Sequence, residues 1–115
     1  MKPRVYIAGP YSKGVLAENI RAAVLAAEAV LELGGIPFIP HLAHTWEMVR
    51  PHPYEFWLEY DFHWLPLCHA LYRIPGESPG ADREVAEAKK LGIPVFYSLD
   101  ELGKYILALR NGNHD

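Results

Sequence analysis

Two acidic side chains stand in surroundings that could serve chemistry, Glu84 and Asp61. Glu84 closes the stretch Gly76-Glu77-Ser78-Pro79-Gly80-Ala81-Asp82-Arg83-Glu84, a Gly/Pro/Ser loop that runs into a helical pattern. A carboxylate in the first turn of a helix is held as an anion by the helix dipole, which suits a nucleophile better than a general acid. Ordinary helix charge bias, with a surface pair between Arg83 and Glu87, would leave the same pattern. Asp61 has Leu58 and Leu65 at i−3 and i+4, and Trp57 and Trp64 at i−4 and i+3. A carboxylate on so apolar a helix face needs a polar cavity or a cation beside it. Glu55 and Glu59 on the same helix read as a solvated face.

A third segment, Ala8-Gly9-Pro10-Tyr11-Ser12-Lys13-Gly14, follows a short apolar run. Glycine lets the backbone approach a ligand there, and the N-terminus of the next helix favours an anion. The spacing and the Gly-Lys-Ser/Thr ending of a P-loop are absent. The plainer reading is a strand-to-helix turn with Ser12 as its N-cap. His41 and His44 are three residues apart, and His52, His63 and His69 follow. Their spacing fits no familiar zinc site and no HExxH pattern. His41 and His44 can nevertheless line a pocket, and with Asp61 they keep a metal-dependent hydrolase open as a reading. Trp46, Tyr54, Trp57 and Trp64 could stack on a base, although at helical spacing core packing is the commoner fate.

These residues must be positioned by alternating elements. Val5 to Ala8 reads as a buried strand ended by Gly9-Pro10. Leu16, Ile20, Val24, Ala27 and Leu31 form a helical stripe over about 15 to 33, closed by Gly34-Gly35. Ile36 to Ile39 is a second strand, followed by a loop from Pro40 to His52. Pro53 opens a helix to about Leu65. Ala70 to Ile74 is a third strand, and the loop from Pro75 to Gly80 leads into a helix carrying Ala81, Val85, Ala88 and Leu91. Ile93 to Phe96 is a fourth strand. Ser98-Leu99-Asp100-Glu101 is a capping box for a last helix with Leu102, Ile106 and Leu109. The alternation predicts an α/β fold: a three-layer, flavodoxin-like or Rossmann-like parallel sheet of roughly four to five strands, helices on both faces. Ligands bind such sheets beyond the carboxyl ends of the strands. That directs attention to the loops after the first three strands, where the candidate residues lie.

With 115 residues, half of them hydrophobic, the chain is expected to form a single domain over 1–115. Its formal net charge of −3 gives no reason to expect a nucleic-acid polymer or an anionic membrane as partner. One cysteine, Cys68, rules out an intrachain disulfide. The apolar run after Met1-Lys2-Pro3-Arg4 is too short for a signal peptide or a span, so a cytoplasmic location is expected.

Taken together and in order, the three segments resemble the nucleoside 2-deoxyribosyltransferase superfamily, and most of all a small branch of it. Tyr6-Ile7-Ala8-Gly9-Pro10-Tyr11 is similar to its opening motif. Ser78-Pro79-Gly80-Ala81-Asp82-Arg83-Glu84, with Ala88 four residues on, resembles its catalytic loop. Asp61 with Trp64-Leu65 resembles the helix that supplies an active-site aspartate. The resemblance covers nearly the whole chain. It implies that Glu84 is the nucleophile at the anomeric carbon and that Asp61 positions the sugar or assists the leaving base. It implies that Tyr6, Gly9, Pro10 and Tyr11 touch substrate and that Ser12 and Lys13 could hold a phosphate. Ser78 stands where the 2'-deoxynucleoside 5'-phosphate N-hydrolase branch has a phosphate-binding serine and the transferases usually have aspartate. Gly80 belongs to the same turn, and His41 and His44, after the second strand, are expected at the pocket wall. The partner implied is a small nucleoside or nucleotide, with no metal or organic cofactor.

The sequence also departs from the pattern. His69 stands where an aspartate is expected, at the start of the third strand. Asp82 and Arg83 are more charged than usual, and an Arg83–Glu84 pair would blunt the nucleophile. Larger members complete their sites with a C-terminal residue from a neighbouring subunit; Asn111 or Asn113 could play that part in a homodimer or higher homo-oligomer. The rival reading is a non-catalytic nucleotide-binding or sensing module on the same fold, and a free or Arg83-bound Glu84 discriminates the two.

Overall fold

The computed structural model describes residues 2–112, so Asn113 lies outside the described residues. The chain runs β1 (Arg4–Ala8), α1 (Leu16–Leu33), β2 (Ile36–Phe38), a 3-10 turn (Pro40–Ala43) and α2 (His44–Val49). It continues with α3 (Tyr54–Phe62), a second 3-10 turn (Leu65–Leu67), β3 (Ala70–Arg73), α4 (Pro79–Lys90), β4 (Val95–Phe96) and α5 (Leu99–Arg110). Four parallel strands form one sheet in the order β2-β1-β3-β4. The expected α/β class, with a parallel sheet between two helical layers, is the one found.

The period-two alternation of β1 divides the core. Val5 and Ile7 point to one face, where they meet Ala23 and Val30 of α1 and Leu102 and Ile106 of α5. Tyr6 and Ala8 point to the other, where they meet Leu65 and, from α4, Ala81, Val85 and Ala88. From β1 the chain moves outward to β2, then crosses back to β3 on the other side. The crevice between the carboxyl ends of β1 and β3 is therefore the switch point at which such sheets bind ligands.

Several local expectations need correction. The buried face of α1 is Ala23, Ala27 and Val30, while Leu31 is exposed and Ile20 and Val24 only half-buried. Small residues let α1 lie close to the sheet, which rotates the larger side chains outward. Ser12 does not cap α1: the N-cap is Val15, and Asn19 instead ties the preceding loop down by donating to the carbonyls of Tyr11 and Lys13. Pro40 to His52 is not all loop but contains the 3-10 turn and α2. Leu91 is exposed beyond the end of α4. Ser98 does cap α5, accepting from the amides of Asp100 and Glu101, whereas the Glu101 side chain pairs with Lys104. Helix α1 ends as expected on Gly34 in the left-handed conformation, φ 96°. No helix among the described residues is long and apolar enough to cross a membrane.

Candidate active site

A cavity of about 580 Å3 opens at the carboxyl edge of the sheet. The loop after β1 contributes Gly9, Tyr11, Ser12 and Lys13 to its wall. The segment after β2 contributes His41 and His44, α3 contributes Asp61, and α4 contributes Ser78, Gly80 and Glu84. Residues from four separate stretches of sequence are thus brought to one concave site, the usual form of a small-molecule pocket. Two glycines are there because backbone must come close. A Cβ on Gly9 would sit 2.9 Å from Cβ of Ile74, and one on Gly80 would sit 2.8 Å from the Tyr54 hydroxyl.

Tyr6 and Pro10 are the two candidates that do not line the cavity. Tyr6 is wholly buried beneath it, because its place in β1 aims it into the core rather than the loop. Its hydroxyl donates to Oε2 of Glu84, so it acts on the site from below. Pro10 packs beside Gly76, and its carbonyl accepts from Nε2 of His41 at 3.0 Å.

Glu84 and Asp61 are only 7% and 8% exposed. Burial pushes the Glu84 carboxyl up to about 8; the Tyr6 hydrogen bond pulls it back, the Asp61 charge adds to the rise, and Arg73 opposes it. Burial alone raises Asp61 to about 7. No described residue donates a hydrogen bond to Asp61. The Asp61 charge reaches Glu84, and burial keeps both carboxyls above the usual carboxylate range, so a proton is retained in the site near neutrality. The helix-dipole expectation for Glu84 is overturned. Helix α4 starts at Pro79 with Ser78 as N-cap, which places Glu84 in the second turn, where the dipole has faded and desolvation governs.

Arg83 does not touch Glu84. It forms a two-pronged pair with Glu55 of α3, at 2.8 and 3.1 Å, and lies over the Tyr54 ring. It therefore makes neither the expected Glu87 pair nor a blunting contact. Successive residues on a helix point about 100° apart, so Glu84 faces the sheet while Arg83 faces α3. Glu55, read as solvated, is its partner. His69 lies at the opposite end of β3 from the cavity, its Nδ1 accepting from the amide of Arg4 at 2.9 Å. It is a strand-pairing residue.

Ser78 is buried at the cavity wall, its Oγ accepts from the amide of Ala81 at 3.0 Å, and no described residue accepts its own proton. Ser12 and Lys13 stand exposed at the mouth, Lys13 3.6 Å from Glu77. Tyr11 and His44 share a hydrogen bond of 2.7 Å between the hydroxyl and Nδ1. His41 is buried and burial lowers its pKa; with Nε2 donating to Pro10, Nδ1 carries a lone pair that no described residue meets. Among the described residues no three His, Cys, Asp or Glu side chains gather as a metal site. Of the aromatic residues, Tyr54 and Trp57 line the cavity, while Trp46 and Trp64 are partly exposed, not core.

Residues 3–98 match a family described as a domain of unknown function, DUF7768. The chain belongs to this family. No curated protein matches it. Among solved structures, the 2-deoxyribosyltransferase of the psychrotolerant bacterium Bacillus psychrosaccharolyticus is similar, with a TM-score of 0.59 and 20% identity. The match covers 80% of this chain and 69% of that one. The likeness is one of fold: this DUF7768 chain has the α/β architecture of a deoxyribosyltransferase.

Two parts of the DUF7768 site were not marked by the sequence. Glu47 sits in α2, inside a stretch without visible helical periodicity, yet it lines the cavity. Arg73 is buried at the end of β3 and influences Glu84 from a distance while pairing with Asp82 at 3.0 Å. A basic residue ending an apolar strand was the signal available for it.

Proposed function

We propose that the chain cleaves or transfers at the N-glycosidic bond of a 2'-deoxynucleoside or its 5'-monophosphate, with Glu84 as nucleophile and Asp61 as proton donor. The observation that carries this reading is the buried Glu84–Asp61 pair in a cavity at the switch point. The deoxyribosyltransferase architecture and the ordered motifs supply the substrate class. Glycosidic cleavage needs one carboxylate to meet the positive charge growing on the sugar and one carboxylic acid to protonate the leaving group. A pair holding one proton provides both. Burial weighs more on Glu84 than on Asp61. A sugar developing positive charge against it reverses that order, because Tyr6 donates to Glu84 whereas no described residue donates to Asp61.

The C1'–N bond breaks, the base leaves with the electron pair, and Asp61 supplies its proton. A bond forms between C1' and the Glu84 carboxylate. Water attacks C1' as Asp61 takes a proton from it, and Glu84 departs as carboxylate. A second base in place of water gives transfer. Ser78 with the N-terminal end of α4, and Ser12 with Lys13 at the mouth, offer donors to a 5'-phosphate. A Glu84 tied to Arg83 would have favoured the binding-only alternative; Arg83 is engaged by Glu55 instead.

The test is release of free base from a panel of 2'-deoxynucleosides and their 5'-monophosphates, followed by chromatography. Release is expected from the native chain and not from Glu84→Ala, which should still bind. A monophosphate preference that shrinks in Ser78→Ala would assign the phosphate to that serine. Binding without any base release, in native chain and variant alike, would leave the nucleotide-sensing module as the better reading.

A further inference from the structure

Glu47 makes two hydrogen bonds through a single oxygen. Its Oε1 accepts from the backbone amide of His52 at 2.9 Å and from the indole Nε1–H of Trp57 at 2.5 Å. These bonds fix the carboxylate and hold its pKa below the usual range. Its other oxygen, Oε2, has no donor among the described residues. Glu47, His52 and Trp57 all line the cavity that contains Asp61 and Glu84. The site therefore has, besides its carboxyl pair, a third acid that stays ionised and is held in place beside two flat rings.

We propose that Glu47 reads the nucleobase, its Oε2 accepting an N–H from the base edge, so that bases carrying an exocyclic amino group are preferred over thymine and uracil. This rests on the N-glycosidic reading above. A carboxylate can only accept. Cytosine and adenine offer it an amino group, and guanine offers an amino group beside a ring N–H. Thymine and uracil offer one ring N–H flanked by two carbonyl oxygens, which repel a carboxylate. The same logic makes Glu and Asp acceptors for the cytosine amino group in nucleic-acid recognition. The indole of Trp57 supplies a surface for the ring.

Glu47→Gln makes a sharp test. The glutamine carbonyl can keep both bonds, to His52 and Trp57, and its amide then places a donor where Oε2 was. The native chain should turn over dCMP, dAMP and dGMP at least about tenfold faster, in kcat/KM, than dUMP and dTMP. In Glu47→Gln that ratio should fall by about tenfold or more, towards the carbonyl-bearing bases. A ratio unchanged by the substitution, with activity intact and the melting temperature preserved, overturns the proposal. So does a native chain that handles dUMP as well as dCMP, which needs no variant. If nothing releases base, the glycosidic reading has failed separately. Calorimetric titration with dCMP and dUMP then decides the base-reading role, and equal affinities overturn it.

Discussion

One strand feeds two layers that serve opposite ends. Val5 and Ile7 of β1 enter a hydrophobic cluster with Ala23, Val30, Tyr72, Leu102 and Ile106. Tyr6 and Ala8, their neighbours in sequence, enter a layer that ends at the cavity with two buried carboxyls. Burying apolar surface stabilises the α1/α5 layer, whereas burying ionisable groups opposes folding. The α3/α4 layer can keep Glu84 and Asp61 in low-dielectric surroundings only because the other layer holds the sheet. Pocket chemistry and stability are thus separated by the pleat of a strand.

The separation is broken most clearly by matched substitutions in the two layers. Leu102→Ala should lower unfolding free energy by ~2–5 kcal/mol at every pH, read by urea titration. Glu84→Gln should act in the reverse sense. Burial raises Glu84 from 4.5 to about 8 and Asp61 from 3.8 to about 7. The folded chain then binds more protons than the unfolded one between the two values, so native stability falls as pH rises through about 4 to 8 and levels off above. For Glu84 alone the cost is on the order of 5 kcal/mol. Glu84→Gln should therefore be more stable than the native chain at pH 8.5 and equal to it near pH 4, while base release drops by ~10³-fold or more. A variant less stable than native at pH 8.5 would show that Glu84 contributes to packing as Leu102 does.

Asp61→Asn sharpens the comparison inside the polar layer. As proton donor, Asp61 should contribute ~10²–10⁴-fold for an ordinary base. A substrate whose base departs without protonation should lose much less, and Glu84→Ala should remain inactive on it. Steady-state rates on the two substrates measure this directly. An equal loss on both would make Asp61 a sugar-positioning residue.

The apolar layer was the more legible of the two. The β1 run, the alternation of elements and the caps at Gly34 and Ser98 are local signals, and local geometry decides them. The place of Asp61 was also legible, because four large apolar neighbours at i±3 and i±4 leave a carboxylate few options. Contacts made across the cavity were not legible. That Tyr6 reaches Glu84, 78 positions later, depends on α4 packing over β1, which no periodicity encodes. Helix α2 was hidden because its six residues are too few to establish a stripe and none of them is buried. Glu47 went unmarked with it. Arg83 was read against its chain neighbour Glu84, although the helix turns the two apart.

The Arg83–Glu55 pair gives the smallest expected effect and separates exposed charge from buried charge. Both side chains are well exposed, 49% and 70%. Exposed pairs interact weakly even in good geometry, because water screens them and ordering two long side chains costs entropy. Glu55→Gln should leave the melting temperature within error and base release within about twofold, with the pH profile unmoved. The informative quantity is the profile. If Arg83, once released, swung towards Glu84, its positive charge would favour the carboxylate and move the acidic limb of the profile to lower pH. An unmoved limb would mean that the helix itself, not Glu55, keeps the guanidinium away. The carboxyl pair would then owe its properties to burial within its own layer, independently of the charged surface above it.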